Sequence, residues 1–270
     1  MNPQNRRHEI AMKPVVLTAT GMDAVGVRRD IPYAVIDGET LTMDVYSPST
    51  PEHISRQPVV LFVTGYSDVG MRNVMGCNAK DMASYDSWAR LVAASGLVAI
   101  TYTNHQPADV HAALRHVREH STQLGIDAGR LAIWACSGNV PTALSVAMDT
   151  PGVRCAVLLY GYMLDLDGST VVEEASTTCR FANPSARRLV GDLPVDVPLF
   201  IARAGRDEMP HLNETIDRFV AAALDVNLPV SLVNHSQGPH AFDIVDASQA
   251  SRAVVGQILR FLGLHLNESV

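Results

Sequence analysis

Cysteine is scarce in this chain. Cys77, Cys136, Cys155 and Cys179 are scattered over 270 residues, too few for a disulfide scaffold at this size. No two stand at C-x-x-C spacing, so the usual signature of a zinc ribbon or a dithiol redox pair is missing. They read as free thiols of a protein in a reducing cytoplasm. Positive charge is short as well, with 21 Lys and Arg against 28 Asp and Glu and a formal net charge of −7. That balance removes the simplest electrostatic case for nucleic acid or an anionic membrane. No run approaches the roughly 18 apolar residues of a membrane span. After the basic patch Arg6-Arg7, Lys13 and Pro14 break the apolar stretch that a signal peptide would need. Without an export signal, the N-x-S/T sequons at Asn213, Asn234 and Asn267 are expected to be chance. Repeats and low-complexity blocks are absent too. What remains, 47% hydrophobic and 18% charged, is ordinary globular composition, which excludes long disorder, collagen and coiled coil. A chain of this length buries about three quarters of its unfolded surface, so its core needs no staples.

Hydropathy divides the chain. Residues 1–26 show no clear period and read as an N-terminal arm. Residues 28–35 and 40–46 read as two strands joined by Asp37-Gly38, a strong hairpin-turn signal. Then the period changes. Short continuous apolar runs at 58–64, 97–103, 130–136, 155–161 and 198–204 have the character of strands buried on both faces, and 230–234 is a sixth. Helical patterns at 85–95, 107–123, 138–148, 211–226 and 247–264 separate or follow them. In the second, Val110, Ala113, Leu114 and Val117 follow the i, i+3, i+4, i+7 rule. Buried strands alternating with helices predict an α/β fold, a mostly parallel central sheet with antiparallel N-terminal edge strands and helices on both faces. Residues 27–270 are expected to form a single domain. The stretch 162–197 is long, polar and without period, and is expected to be a lid-like insertion.

The stretch Leu131-Ala-Ile-Trp-Ala-Cys-Ser-Gly-Asn-Val-Pro141 carries the strongest chemical signal. A buried strand runs into Ser137 and a helix starts just after it, the setting of a nucleophile elbow. The usual spelling is G-x-S-x-G. Here Ala135 and Asn139 replace the outer glycines, and Asn139 is the less small of the two. Serine is also a favoured helix N-cap, which is the bland alternative. A serine nucleophile needs a base, and the base needs an orienting acid. In elbow enzymes these follow in the order nucleophile, acid, base. Downstream, the strand at 198–203 ends in Ala204-Gly-Arg-Asp207-Glu208, and His240 lies in a Gly-Pro loop after the strand at 230–234. Both stand at strand carboxyl ends, where open α/β sheets keep their sites. Ser137, Asp207 and His240 are therefore the expected catalytic triad. Asp165 and Asp167, after the fourth buried strand, are rivals for the acid. The expected oxyanion donors are the Gly138 amide and the Tyr66 amide, with Gly65 as the alternative, in the loop Thr64-Gly-Tyr-Ser-Asp68. Tyr66, Cys136 and Asn139 are the expected substrate contacts, and the Tyr66 ring would narrow the acyl pocket.

Over nearly the whole chain, from about Val27 to Leu264, the sequence resembles the α/β-hydrolases of the esterase/lipase and dienelactone-hydrolase-like group. The resemblance is carried by the segments DIPY at 30–33, LTMDVYSP at 41–48, VVLFVTGY at 59–66, SWARLVAASGLVAITY at 87–102, WACSGN at 134–139, AGRDE at 204–208 and GPHAFD at 238–243. It departs at two places. Lipase-like members have His-Gly-Gly where this chain has Thr64-Gly65-Tyr66, and dienelactone hydrolases have cysteine where this chain has Ser137. The resemblance implies the α/β-hydrolase fold and hydrolysis of a small-molecule carboxylic ester with no cofactor and no metal, and the modest 162–197 segment, without the broad apolar surface stretch of interfacial lipases, points to a short-chain, soluble ester. A thioesterase or peptidase using the same triad, and a non-catalytic binding module on this fold, remain open. No nucleic-acid or membrane partner is expected, and the arm could join two copies into a homodimer.

Three further features carry weaker signals. His116-Val-Arg-Glu119-His120 spells a zinc-protease pattern, but Val110, Ala113, Leu114 and Val117 already commit that helix to the sheet and no third ligand is identifiable. Arg180, Arg187, Arg188, Arg203 and Arg206 are candidates for a substrate carboxylate or, more simply, for surface ion pairs. Lys80 and Asp81 could line the entrance.

Overall fold

The computed structural model describes residues 8–49 and 56–267. The strands in chain order are β1 (Gly26–Ile36), β2 (Glu39–Ser47), β3 (Gln57–Phe62), β4 (Val98–Tyr102), β5 (Ile126–Cys136), β6 (Val153–Leu159), β7 (Leu199–Ala204) and β8 (Val230–His235). They form one sheet in the order β1-β2-β4-β3-β5-β6-β7-β8. The β1/β2 and β2/β4 pairs are antiparallel, and every pair from β4 to β8 is parallel. The β1/β2 turn has positive φ at both Asp37 (51°) and Gly38 (80°), as a two-residue hairpin matched to strand twist requires.

The helices are α1 (Asp68–Met75), α2 (Ala83–Ala94), α3 (Val110–Glu119), α4 (Ser121–Leu124), α5 (Val140–Asp149), α6 (Val171–Cys179), α7 (Leu212–Asp225), α8 (Phe242–Val245) and α9 (Gln249–Asn267). Strand alternation turns each apolar run into two half-runs, one per face. Val59, Leu61, Leu131, Ile133, Leu158 and Ile201 meet α3, α5 and α7, while Val60, Phe62, Ala132, Trp134, Val157 and Phe200 meet α2 and α9. The continuous apolar character of the runs is thus the signature of a sheet covered on both sides. β8 is an edge strand, with Ser231 and Leu232 exposed.

Three expectations are corrected. The helix expected over 107–123 is broken at His120 (φ −107°, ψ 19°) into α3 and α4. The 162–197 stretch is not irregular throughout. It holds α6, whose first-turn amides at Val172 and Glu173 donate to Asp165, and it buries Tyr162, Leu164, Val172, Phe181 and Val190. Its apolar residues are divided between the 162–166 entry, one face of a nine-residue helix too short for a clear period, and single positions after it. Lys80 does not line an entrance. It is buried, with ion pairs to Asp30 (2.9 Å), Asp44 (3.1 Å) and Asp81 (3.3 Å) that tie the β1/β2 edge to the α1–α2 connection.

The described part of the N-terminal arm packs on its own chain. Ala11 and Val15 are buried in the α2/α9 core. The Val15 amide donates to Ser87 Oγ, and the Val16 amide to the Asp243 carbonyl. Residues 1–7 of the arm lie outside the described residues. All four cysteines are free thiols, and among the described residues no helix is long and apolar enough to cross a membrane.

Candidate active site

Strand β5 ends at Cys136, and Ser137 follows with φ +55°. A non-glycine residue here is strained by about 1–3 kcal/mol and persists only when its surroundings hold it. They do. A methyl group on Gly161 would lie 2.7 Å from the Ser137 carbonyl oxygen and 2.2 Å from Val140 Cγ2, so the β6 side approaches the turn as closely as backbone can. An N-cap serine adopts an extended conformation and accepts from the following amides. Ser137 does neither, and its Oγ meets His240 Nε2 at 2.8 Å.

His240 Nδ1 lies 2.7 Å from Asp207 Oδ2, and the Asp207 side chain is fully buried. A carboxylate only accepts, so this contact puts the imidazole proton on Nδ1 and leaves Nε2 as an acceptor for the serine hydroxyl. The other Asp207 oxygen accepts from the Met209 amide (3.0 Å). The β7 and β8 loops are locked together, with Gly205 N donating to the His235 carbonyl and Arg206 N to the Gly238 carbonyl. A methyl on Gly205 would lie 2.6 Å from the Ser236 carbonyl oxygen, so glycine there sets the approach of the Asp207 loop to the His240 loop. The rival acids lie elsewhere. Asp165 is taken by α6, and Asp167 is exposed.

The loop after β3 lies against the elbow. A methyl on Gly65 would meet the Gly138 carbonyl oxygen at 2.3 Å and Asn139 Cα at 2.9 Å. The glycine missing at 139 is thus answered by one at 65. The Gly65 amide donates to Asn139 Oδ1 (2.7 Å), which corrects Gly65 as the alternative oxyanion donor. The same contact corrects Asn139 as a substrate contact. Its side chain is buried between Gly65 and the Tyr85 hydroxyl (3.2 Å). The Tyr66 amide has no acceptor among the described residues, and Gly138 lies at the head of the Ser137–Asn139 helical turn, where first amides have no intrahelical acceptor. Cys136 is half-buried beside Ser137. Burial pushes its thiol up to about 12, so it behaves as a small apolar residue rather than a thiolate.

Sequence reasoning missed the residues that hold this loop. Asn104, just past β4, is buried and donates from Nδ2 to both Thr64 Oγ1 (2.7 Å) and the Tyr66 carbonyl (2.9 Å). Its Oδ1 accepts from the Asp68 amide, and Asp68 returns the contact by accepting from the Asn104 and Ala79 amides. Burial raises the Asp68 carboxyl, and those two amides oppose the rise. The available signal was position, a polar residue at a strand's carboxyl end. With the Tyr66 amide as the expected oxyanion donor, Asn104→Ala is expected to lower kcat by about 10²–10³, the cost of misplacing one such donor, while KM for a short ester changes by less than about threefold. Steady-state kinetics on the folded variant check this.

The other candidates separate cleanly. His116 and His120 stack at 4.0 Å, burial and the neighbouring ring lower His116, and among the described residues no group of three or more His, Cys, Asp or Glu is placed to hold a metal ion. Arg188 pairs with Asp149 and Asp192, and Arg203 with Asp217. Arg180, Arg187 and Arg206 make no ion pair among the described residues.

No protein-family model matches the sequence, and no curated protein matches it. Solved structures do. A bacterial heroin esterase aligns over 94% of this chain and 88% of its own, with a TM-score of 0.70 at 15% identity. An α/β hydrolase enzyme from the metagenome of Lake Arreo, Spain, aligns over 92% and 87%, with a TM-score of 0.69 at 17% identity. A thermostable esterase from Pseudomonas putida aligns over 93% and 86%, with a TM-score of 0.67 at 18% identity. At such identities the likeness speaks to the fold, and the chain has the α/β-hydrolase fold.

Proposed function

We propose that the protein hydrolyses carboxylic esters, small short-chain ones, through an acyl-enzyme formed on Ser137. One observation carries the reading: Ser137 is held at φ +55° with Oγ 2.8 Å from His240 Nε2, while His240 Nδ1 lies 2.7 Å from Asp207. As the hydroxyl attacks the ester carbonyl, His240 takes its proton, and Asp207 holds the ring and stabilises the imidazolium. The Gly138 and Tyr66 amides receive the oxyanion. His240 returns the proton to the departing alcohol, then draws one from the water that attacks the acyl-enzyme, and gives that proton to Ser137 Oγ as the acid departs. The four free thiols support a reducing, cytoplasmic setting.

The test is a steady-state assay with p-nitrophenyl acetate beside treatment with dimethyl p-nitrophenyl phosphate. The latter loses p-nitrophenolate to an activated serine and leaves a dimethylphosphoryl group. Turnover, with the phosphoryl group mapped to Ser137, is the expected result. Folded protein that neither turns over ester nor takes the label would overturn the reading in favour of a binding module.

A further inference from the structure

The space beside the oxyanion donors is already filled. From Gly138, a side chain would project into two aromatic rings, its Cβ lying 2.3 Å from the Tyr66 hydroxyl oxygen and 2.8 Å from Phe181 Cδ1. Phe181 comes from the 162–197 stretch, delivered by a left-handed turn at Arg180 (φ 62°) that ends α6. It is buried, stacked on Tyr162 (5.7 Å between ring centres, 21° between planes) and met edge-on by Tyr66 (6.2 Å, 73°). Its backbone is tied to the oxyanion loop, since the Ala182 amide donates to the Gly65 carbonyl (2.8 Å). Tyr162 is tied in turn to the β7 loop through its hydroxyl and the Pro210 carbonyl (3.0 Å). These rings are anchored on three elements, and close-packed aromatic surfaces yield little to an added methylene.

The tetrahedral carbon has four directions. One goes to Ser137 Oγ and one to the oxyanion amides. The third, to the alcohol oxygen, must face His240 Nε2, which gives that oxygen its proton. The fourth is the acyl chain, and it is left with the side of Gly138 where Tyr66 and Phe181 stand. By contrast the His240 side chain is 29% exposed, so the alcohol leaves towards open solvent.

We infer that Phe181, together with Tyr66, is the wall of the acyl subsite and restricts the substrate to acetyl esters, with the alcohol free to be large. This rests on the proposed ester hydrolysis and adds to it the acyl group and the residue that selects it. Water and an acetyl ester give acetate and the alcohol. The insertion is then a fixed wall rather than a lid.

The experiment is a chain-length series, p-nitrophenyl acetate, butyrate, hexanoate and octanoate, on the wild type, Phe181→Ala and Phe181→Leu. The leucine variant fills most of the buried volume and serves where alanine costs too much stability, and thermal melts establish folding. For the wild type, kcat/KM for acetate is expected to exceed that for octanoate by about 100-fold or more. The octanoate-to-acetate ratio is expected to rise about 10- to 100-fold in Phe181→Ala, the range that methylene-sized changes in an apolar pocket produce, and by less in Phe181→Leu. A wild type that cleaves octanoate as readily as acetate would overturn the inference, as would an unmoved ratio in both folded variants. In either case, Ser137 labelled by dimethyl p-nitrophenyl phosphate would leave ester hydrolysis standing. No label and no turnover of any ester would sink both.

Discussion

Ser137→Ala is expected to lower kcat for p-nitrophenyl acetate by about 10⁵–10⁶-fold, the loss seen when a serine hydrolase loses its nucleophile. The variant should keep its fold and Tm within a few degrees, because among the described residues the serine hydroxyl makes one side-chain hydrogen bond, to His240. No neighbour can substitute. Cys136 is adjacent, but burial pushes its thiol up to about 12, so almost no thiolate exists at neutral pH. A residual rate about 10³–10⁴ above water is expected, since the Gly138 and Tyr66 amides and His240, the proposed donors and base, remain in place. The comparison needs kcat on both proteins and loss of the phosphoryl label in the variant. Activity within tenfold of wild type would remove Ser137 from the mechanism.

Asp207→Asn is expected to cost about 10⁴ in kcat with the site geometry intact. An asparagine offers an N–H or a carbonyl to His240 Nδ1 and no longer carries the charge that stabilises the imidazolium. When it turns its N–H inward, Nδ1 must accept, the ring proton moves to Nε2, and Nε2 can no longer take the serine proton. Asp165→Asn is the informative control. Asp165 accepts from the Val172 and Glu173 amides at the head of α6, so it should lose some stability of that helix and keep kcat within about twofold. The reverse result, a silent Asp207→Asn and a dead Asp165→Asn, would move the acid to the β6 side of the site.

Much of this was legible because it depends on residues close in sequence. The Asp37-Gly38 hairpin turn requires two positive φ values, and its dipeptide announces them. The strand at 130–136 followed by a small-residue turn and Pro141 places Ser137 at an elbow by local sterics. Asp207 and His240 could be chosen because each ends a strand, and parallel strands deliver their carboxyl ends to one edge. The 162–197 stretch was not legible. Its helix begins on Asp165, seven residues before the first amide that it caps, and the apolar face of that helix, Val171, Val172, Ala175 and Cys179, spans only nine residues. Asn139 was misread for a related reason. At the elbow its size looks like a departure, and only the approach of Gly65 shows that its amide is needed there.

By itself the sequence determined the alternation of buried strands and helices, the hairpin at the edge, and the strand-end positions of Ser137, Asp207 and His240, since each follows from neighbouring side chains and backbone preferences. The tertiary structure decided everything that requires two distant segments to meet. It buried Asp207 against His240 and gave Asp165 to α6. It withdrew Gly65 as a donor by pairing its amide with Asn139, and it set Asn104 behind the Tyr66 loop. It brought Phe181 from the insertion to within contact of Gly138. Hydrogen bonds and close packing act over a few ångströms in space, whatever the separation along the chain, and no local pattern records which distant group will arrive.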